Sequence, residues 1–346
     1  MEFRSILLLA LALCAAIPAE AQVAKRQPII DMHLHVLAPD AQGPPPLGMC
    51  TPIAEMPAWD PGAGPYVDTI MAIFKKPSCK DPVWSPDTRE EMRARTLAEL
   101  EKHDVIGVLS GDSDKDIADW RKASPERIIP ALGDSIRMPV VDAATVARVK
   151  AMKASGDLVV LSEIGPQYMG MAPDDPRLEP FWALAEELDL PVGIHVGTGP
   201  PGTPYLAPPL KDYRARLHSA LVIEEVLARH PKLRVYLMHA GYPMIDDLLA
   251  VLYTHPQVYV DVGVIVYTQP RPAFYRYLQA IVEAGFAKRV MFGSDNMVWP
   301  ETIGRSIEVI QQAPFLSEAQ KRDIFYNNAA RFLRLDAATI ARHHAL

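Results

Sequence analysis

The chain has 346 residues, 49% of them hydrophobic, and a formal net charge of −7. That is enough apolar material for one large domain or two small ones, and it excludes disorder as the default state. No Lys/Arg-rich run is present, so nucleic acid and acidic membrane surfaces are poor partners and a small-molecule substrate is the better expectation.

The first segment is read as a targeting element. Arg4 precedes the apolar run Ile6 to Ile17, and Ala19-Glu20-Ala21 follows. A short positive start, a core too short to span a bilayer and a small-x-small site are the parts of a secretory signal peptide, here residues 1–21. The mature chain then begins at Gln22 and forms a single domain over 22–346, periplasmic or secreted, with no membrane contact beyond export. Export leaves Cys50 and Cys79 as the mature cysteines. In an oxidising compartment such a pair reads as a disulfide, contributing roughly 3 kcal/mol through loop closure; two free thiols are the alternative.

Beyond the leader, short β-rich runs alternate with amphipathic helical stretches. Strands are predicted at Ile29–Val36, Val105–Leu109, Arg127–Leu132, Leu158–Ile164, Val192–Val196, Leu233–His239, Val258–Val264 and Arg289–Phe292. The clearest helices run from Pro86 to Lys102, Pro176 to Leu188, Pro243 to Tyr253 and Pro272 to Ala284, each opening on a proline that suits a first helical turn. Repeated strand–helix units predict one (β/α)8 TIM barrel, with an open doubly wound sheet as runner-up. No Gly-x-Gly-x-x-Gly follows the first strand, so the dinucleotide-binding version has no support. The proline-rich stretch from Leu37 to Trp84 is a long loop after the first strand, read as a stiffened lid over one barrel mouth. Leu316 to Leu346 reads as helices closing the barrel, with His343 and His344 in solvent.

Strand alternation in Ile30-Asp31-Met32-His33-Leu34-His35 sets Asp31, His33 and His35 on one face, predicted to point into the barrel. Ile30, Met32 and Leu34 would then pack under the helices. Two imidazoles on one strand face can reach one divalent ion, although His-x-His alone is a weak signal. Four further strands end in ligand-type residues: Glu163, His195, His239 and, just past Met291-Phe292-Gly293-Ser294, Asp295. All mark the rim where barrel active sites form. Five strands ending this way point to a joint metal site. The remaining histidines do not fit it: His230 and His255 fall on the opposite rim, His103 at a helix end, and His218 near the rim with a surface position preferred.

With these residues in hand, the chain resembles the amidohydrolase superfamily, in its amidohydrolase-related branch of hydrolases and decarboxylases. The resemblance runs from Ile29-Ile30-Asp31-Met32-His33-Leu34-His35 to Tyr326-Asn327-Asn328-Ala329-Ala330-Arg331-Phe332-Leu333. It implies that His33, His35, His195 and Asp295 ligate a first divalent metal, expected to be Zn²⁺. His239 would then polarise substrate or activate water, and Asp295 would double as the base that takes a proton from activated water. Glu163 departs from the decarboxylases: two-metal members bridge their ions with a carboxylate from the fourth strand. One or two ions therefore remain open, as does an orienting role for Glu163.

Three functions follow. The first is hydrolysis of an ester, lactone or amide. The second is non-oxidative decarboxylation of a small carboxylic acid. The third, a non-catalytic metal- or solute-binding barrel, leaves Asp295 without a purpose. For the substrate, Tyr168 and Trp299 are candidates to stack on a ring, and Arg214 or Arg216 to hold a carboxylate. Oligomeric state stays open, a homodimer being one option.

Overall fold

The structure, a computed structural model, describes residues 27–133 and 141–346; residues 1–21, expected to form a signal peptide, lie outside the described residues. Parallel strands form two hydrogen-bonded arcs. The first contains β1 (Ile29–Val36), β2 (Val105–Gly111) and β3 (Ile128–Gly133). The second contains β4 (Leu161–Ile164), β5 (Val192–His195), β6 (Val235–Met238), β7 (Tyr259–Asp261) and β8 (Val290–Met291). Two seams join the arcs. Between β3 and β4, the Val159 N–H donates to the Pro130 carbonyl at 2.9 Å, and Ala131 bridges to Val160. Between β8 and β1, the Met32 N–H donates to the Phe292 carbonyl at 2.9 Å. The fold is the predicted (β/α)8 barrel.

Two apolar layers hold it together. The outer one lies between strands and helices and includes Leu34, Val192, Ile194, Val235 and Leu237. The inner one gathers Ile30, Met32, Val108, Ala131, Val160, Tyr236, Met238 and Met291 from around the ring, against Tyr326, Ala329 and Phe332 of the C-terminal segment. Gly193 makes room for this plug, since a Cβ there would sit 2.4 Å from the Tyr236 ring. The inner layer corrects the expected alternation: Ile30 and Met32 fill the barrel floor instead of packing under helices. The β1–β2 register shifts between Asp31 and Leu34. Such a bulge turns the following residues by one position, so Leu34 returns to the outer layer and the flanking histidines face the mouth.

The Leu37–Trp84 stretch is more ordered than a loop. Gly48–Met49 pairs antiparallel with Val83–Trp84, and α1 (Tyr66–Lys75) lies between them. Cys50 and Cys79 are disulfide-bonded, with an S–S distance of 2.01 Å. The segment docks on the loops after β7 and β8. The Ile53 N–H donates to the Thr268 carbonyl at 2.9 Å, and the Trp299 indole N–H donates to the Leu47 carbonyl at 2.9 Å. Helix boundaries follow caps more than prolines: α2 (Arg89–His103) starts after Thr88, whose hydroxyl accepts the Glu91 N–H. His103 ends that helix beside Glu99 at 3.2 Å. At the opposite rim His230 lies between Glu179 and Glu186, at 2.9 and 3.2 Å, and His255 lies 3.4 Å from Glu224. His343 is buried on the Tyr326 hydroxyl, 3.1 Å away, which corrects its expected exposure; His344 is exposed.

Candidate metal centre

The loops at the strand ends are bent sharply enough to turn side chains inward. His239, Ala240, Val264 and Asp295 have φ of 62°, 49°, 54° and 52°. Each such non-glycine conformation costs on the order of 1–3 kcal/mol and persists only where its surroundings hold it. Here they do. The Tyr277 hydroxyl donates to the Ala240 carbonyl at 2.7 Å, the Asp295 N–H donates to the His33 carbonyl at 2.7 Å, and the Tyr267 hydroxyl donates to the Asp295 carbonyl at 2.9 Å.

Inside this frame the six sequence-predicted donors are buried around one point, none more than 6% exposed. His33 Nε2 and His35 Nε2 are 3.1 Å apart. Asp295 Oδ1 lies 3.2 Å from His35 Nε2 and 3.8 Å from His33 Nε2. Glu163 Oε2 lies 3.5 and 3.8 Å from the same two nitrogens. Its other oxygen, Oε1, is 3.6 Å from His239 Nε2. Donors about 2.1 Å from a shared tetrahedral cation stand about 3.4 Å from one another, so these separations suit a divalent ion. Among the described residues two overlapping triads emerge, His33–His35–Asp295 and His33–Glu163–His239. His195 stands beside them, its ring 4.4 Å from that of His239. Its Nε2 is held by the Tyr168 hydroxyl at 2.7 Å, while its Nδ1 is buried with no hydrogen-bond partner. A buried imidazole nitrogen without a partner is costly, and a cation on Nδ1 would satisfy it.

Electrostatics agree with the donor geometry. Burial opposes charge on Glu163, yet the surrounding His195, His239 and His33 hold its carboxyl well below the ordinary value. Burial likewise opposes charge on Asp295, and His33, His35 and His239 hold its carboxyl below normal. Burial alone would lower His33, but Asp295 and Asp261 push it well above its usual value; His239 is raised too, through Glu163 and against the same burial effect. Two carboxylates are thus kept ionised, and protons on imidazoles supply the positive charge that a cation would bring.

Several partners escaped the sequence reading. Asp261 at the end of β7 is fully buried and contacts His33 and the His239 backbone. The Asn296 side-chain carbonyl accepts the His35 N–H at 3.0 Å, and Ser110 Oγ is 3.2 Å from His35 Nδ1. The Gln167 side chain donates to the His195 carbonyl at 2.8 Å. The pattern that picks out the other ligands, a ligand-type residue where an apolar strand ends, also fits Val258-Tyr259-Val260-Asp261.

Among the substrate candidates, Tyr168 reaches the centre through His195. Trp299 does not: it is 1% exposed, packed on Phe74 beneath the lid, so its ring offers no face to a ligand. Arg214 and Arg216 are exposed, and the Arg214 guanidinium donates to the carbonyls of Lys211 and Tyr213.

His218 corrects the surface expectation. It is fully buried, stacked on Tyr213 with ring centroids 4.3 Å apart and 5.2 Å from His195. Burial and the nearby His239 push its pKa down to about 4 from an ordinary 6.5. Below pH 6.5 the unfolded chain therefore takes up a proton that the folded chain refuses until about pH 4. Stability falls with acidification across that window, by up to about 3 kcal/mol. His218→Phe, which keeps the stacking, should flatten this part of a denaturant-unfolding series run between pH 4 and 6.5; an unaltered slope would clear His218 as its source.

The sequence matches the family described as Amidohydrolase over residues 30–335. The chain belongs to the amidohydrolase family. It is 29% identical to a gamma-resorcylate decarboxylase of Rhodococcus jostii over 192 residues, 47% of this chain and 56% of that one. The amidohydrolase thus spans about half the length of this curated relative. Among solved structures it resembles a 5-carboxyvanillate decarboxylase from Novosphingobium aromaticivorans complexed with manganese. That match has a TM-score of 0.58 at 13% identity and covers 90% of this chain and 97% of that one. A probable 2-pyrone-4,6-dicarboxylic acid hydrolase from Acinetobacter baumannii gives 0.53 at 16%, covering 89% and 99%. At these identities the structural matches speak for the fold. Family membership and the donor cluster together support an enzyme that uses a divalent metal.

Proposed function

We propose that this amidohydrolase is an exported hydrolase of a small-molecule ester, lactone or amide, with zinc ions held by His33, His35, Glu163, His195, His239 and Asp295. One observation carries the choice of hydrolysis: the two oxygens of Glu163 address different donor sets, Oε2 toward His33 and His35 and Oε1 toward His239. A carboxylate so placed suits a bridge between two cations. Bound there, the cations supply Lewis acidity and bring the pKa of water toward neutrality. The protein supplies the rest. Asp295, ionised and at the mouth, accepts the proton that the nucleophile gives up and returns it to the leaving group. Tyr168 holds His195 through Nε2, which leaves the buried Nδ1 without a hydrogen-bond partner and available to a cation. The lid and Trp299 fix the loop that carries Asp295. Export is part of the proposal, supported by the leader-like segment 1–21 and by the Cys50–Cys79 bond.

A second reading, decarboxylation of a small aromatic acid, is favoured by the match to the resorcylate decarboxylase. On that reading one cation sits on His33, His35, His195 and Asp295, and His239 is free to steer the substrate and the proton that replaces the departing CO2. Elemental analysis of gently purified protein, coupled to assays on lactones, amides and hydroxylated aromatic acids, separates the two. Hydrolysis predicts two ions per chain and activity that disappears on stringent chelation and returns with added Zn²⁺. One ion with CO2 release would transfer the assignment to the lyase, and full activity after chelation would remove both.

A further inference from the structure

Strand β7 contributes no donor to either triad, yet its last residue contacts two of the sequence-predicted ligands, His33 and His239. Asp261 is fully buried. Its Oδ1 accepts the His239 N–H at 3.1 Å and the Gly263 N–H at 2.8 Å. Its Oδ2 lies 3.2 Å from His33 Nδ1. The contact depends on Gly263, because a Cβ there would stand 2.7 Å from that same ring nitrogen. One carboxylate therefore ties β7 to β1 and to the strained turn at His239.

We infer that Asp261 is a positioning residue that fixes the tautomer of His33, holding the proton on Nδ1 so that Nε2 presents a lone pair to the cation site. The reasoning is a hydrogen-bond inventory. Both Asp261 oxygens only accept when the group is ionised. Oδ1 is committed to two backbone donors, so Oδ2 is satisfied only if His33 Nδ1 carries hydrogen. A neutral imidazole with its proton on Nδ1 has a bare Nε2, and that nitrogen lies among His35, Glu163 and Asp295. Metal-ligating histidines elsewhere depend on a partner for the other ring nitrogen in this way. This inference rests on the proposed role of His33 as a ligand.

Asp261→Asn tests it with a nearly isosteric change. The amide oxygen must stay on the two backbone N–H groups, because turning it would set an NH2 against both. The NH2 then faces His33 Nδ1 and forces it to accept, which moves the ring proton to Nε2. We expect the zinc dissociation constant, measured by competition with a chromogenic chelator, to rise about 10- to 100-fold. The ring ¹⁵N spectrum of the zinc-bound wild type, with His33 assigned from its loss in His33→Gln, should show the proton on Nδ1. Equal zinc affinity in folded Asp261→Asn would overturn the positioning role while leaving the metal centre standing. A wild-type His33 protonated on Nε2 would overturn it whether or not the variant folds. Wild-type protein that binds no zinc would remove the ligand role, and this inference with it.

Discussion

Asp295→Asn is expected to lower turnover by about 10²- to 10⁴-fold, the usual contribution of a positioned general base, while leaving the fold and most of the bound metal in place. The residue is held by its backbone, through the His33 carbonyl and the Tyr267 hydroxyl, and neither contact involves the carboxylate. Asparagine keeps an oxygen that can face His35, so coordination is weakened but not abolished. What it loses is the capacity to take up a proton. The pH dependence provides a second readout. Because the surrounding imidazoles hold the carboxyl below its ordinary value, Asp295 is ionised from acid pH upward. The acidic limb of the wild-type profile should therefore lie well below neutrality, and the residual activity of the variant should lack that limb. Turnover equal to wild type in a protein of normal metal content would take Asp295 out of the chemistry.

The parts of this site that were legible in the sequence share one property: each lies near the end of an apolar strand or just past it. His195, His239 and Asp295 could be found because Val192-Gly193-Ile194, Tyr236-Leu237-Met238 and Met291-Phe292-Gly293 have no other reason to end in a ligand. Barrel topology then brings strand ends together whatever the intervening loops do. What was illegible depends on tertiary contact. The β1 bulge reverses which side chains fill the barrel, and period-two alternation carries no mark of a single extra residue. Strand β6 stops at Met238, one residue before the predicted end, because His239 turns to positive φ under hydrogen bonds from distant elements. Trp299 looked like a platform for a ring because it follows Asp295 closely; the lid that covers it comes from residues more than two hundred positions earlier. His218 sits in a segment of short 3₁₀ turns without a helical or strand period, so nothing local gave its direction.

Glu163→Gln should have the most diagnostic effect on metal content. In the wild type each oxygen of this carboxylate faces a separate nitrogen set, and its charge is stabilised by His195, His239 and His33. Glutamine keeps one acceptor and turns an NH2 toward the other side. Whichever orientation it adopts, either the His33–His35 pair or His239 loses a donor oxygen and meets N–H hydrogens instead. Removing the negative charge also lowers the attraction for the second cation. The variant should hold one zinc ion per chain where the wild type holds two, with activity down at least about a hundredfold, the upper end of what loss of an orienting contact alone produces. Wild type and variant that both bind a single ion, with turnover differing by less than about tenfold, would reduce Glu163 to an orienting group. The hydrolytic assignment would then lose the observation that favours it, and decarboxylation would become the better description of this centre.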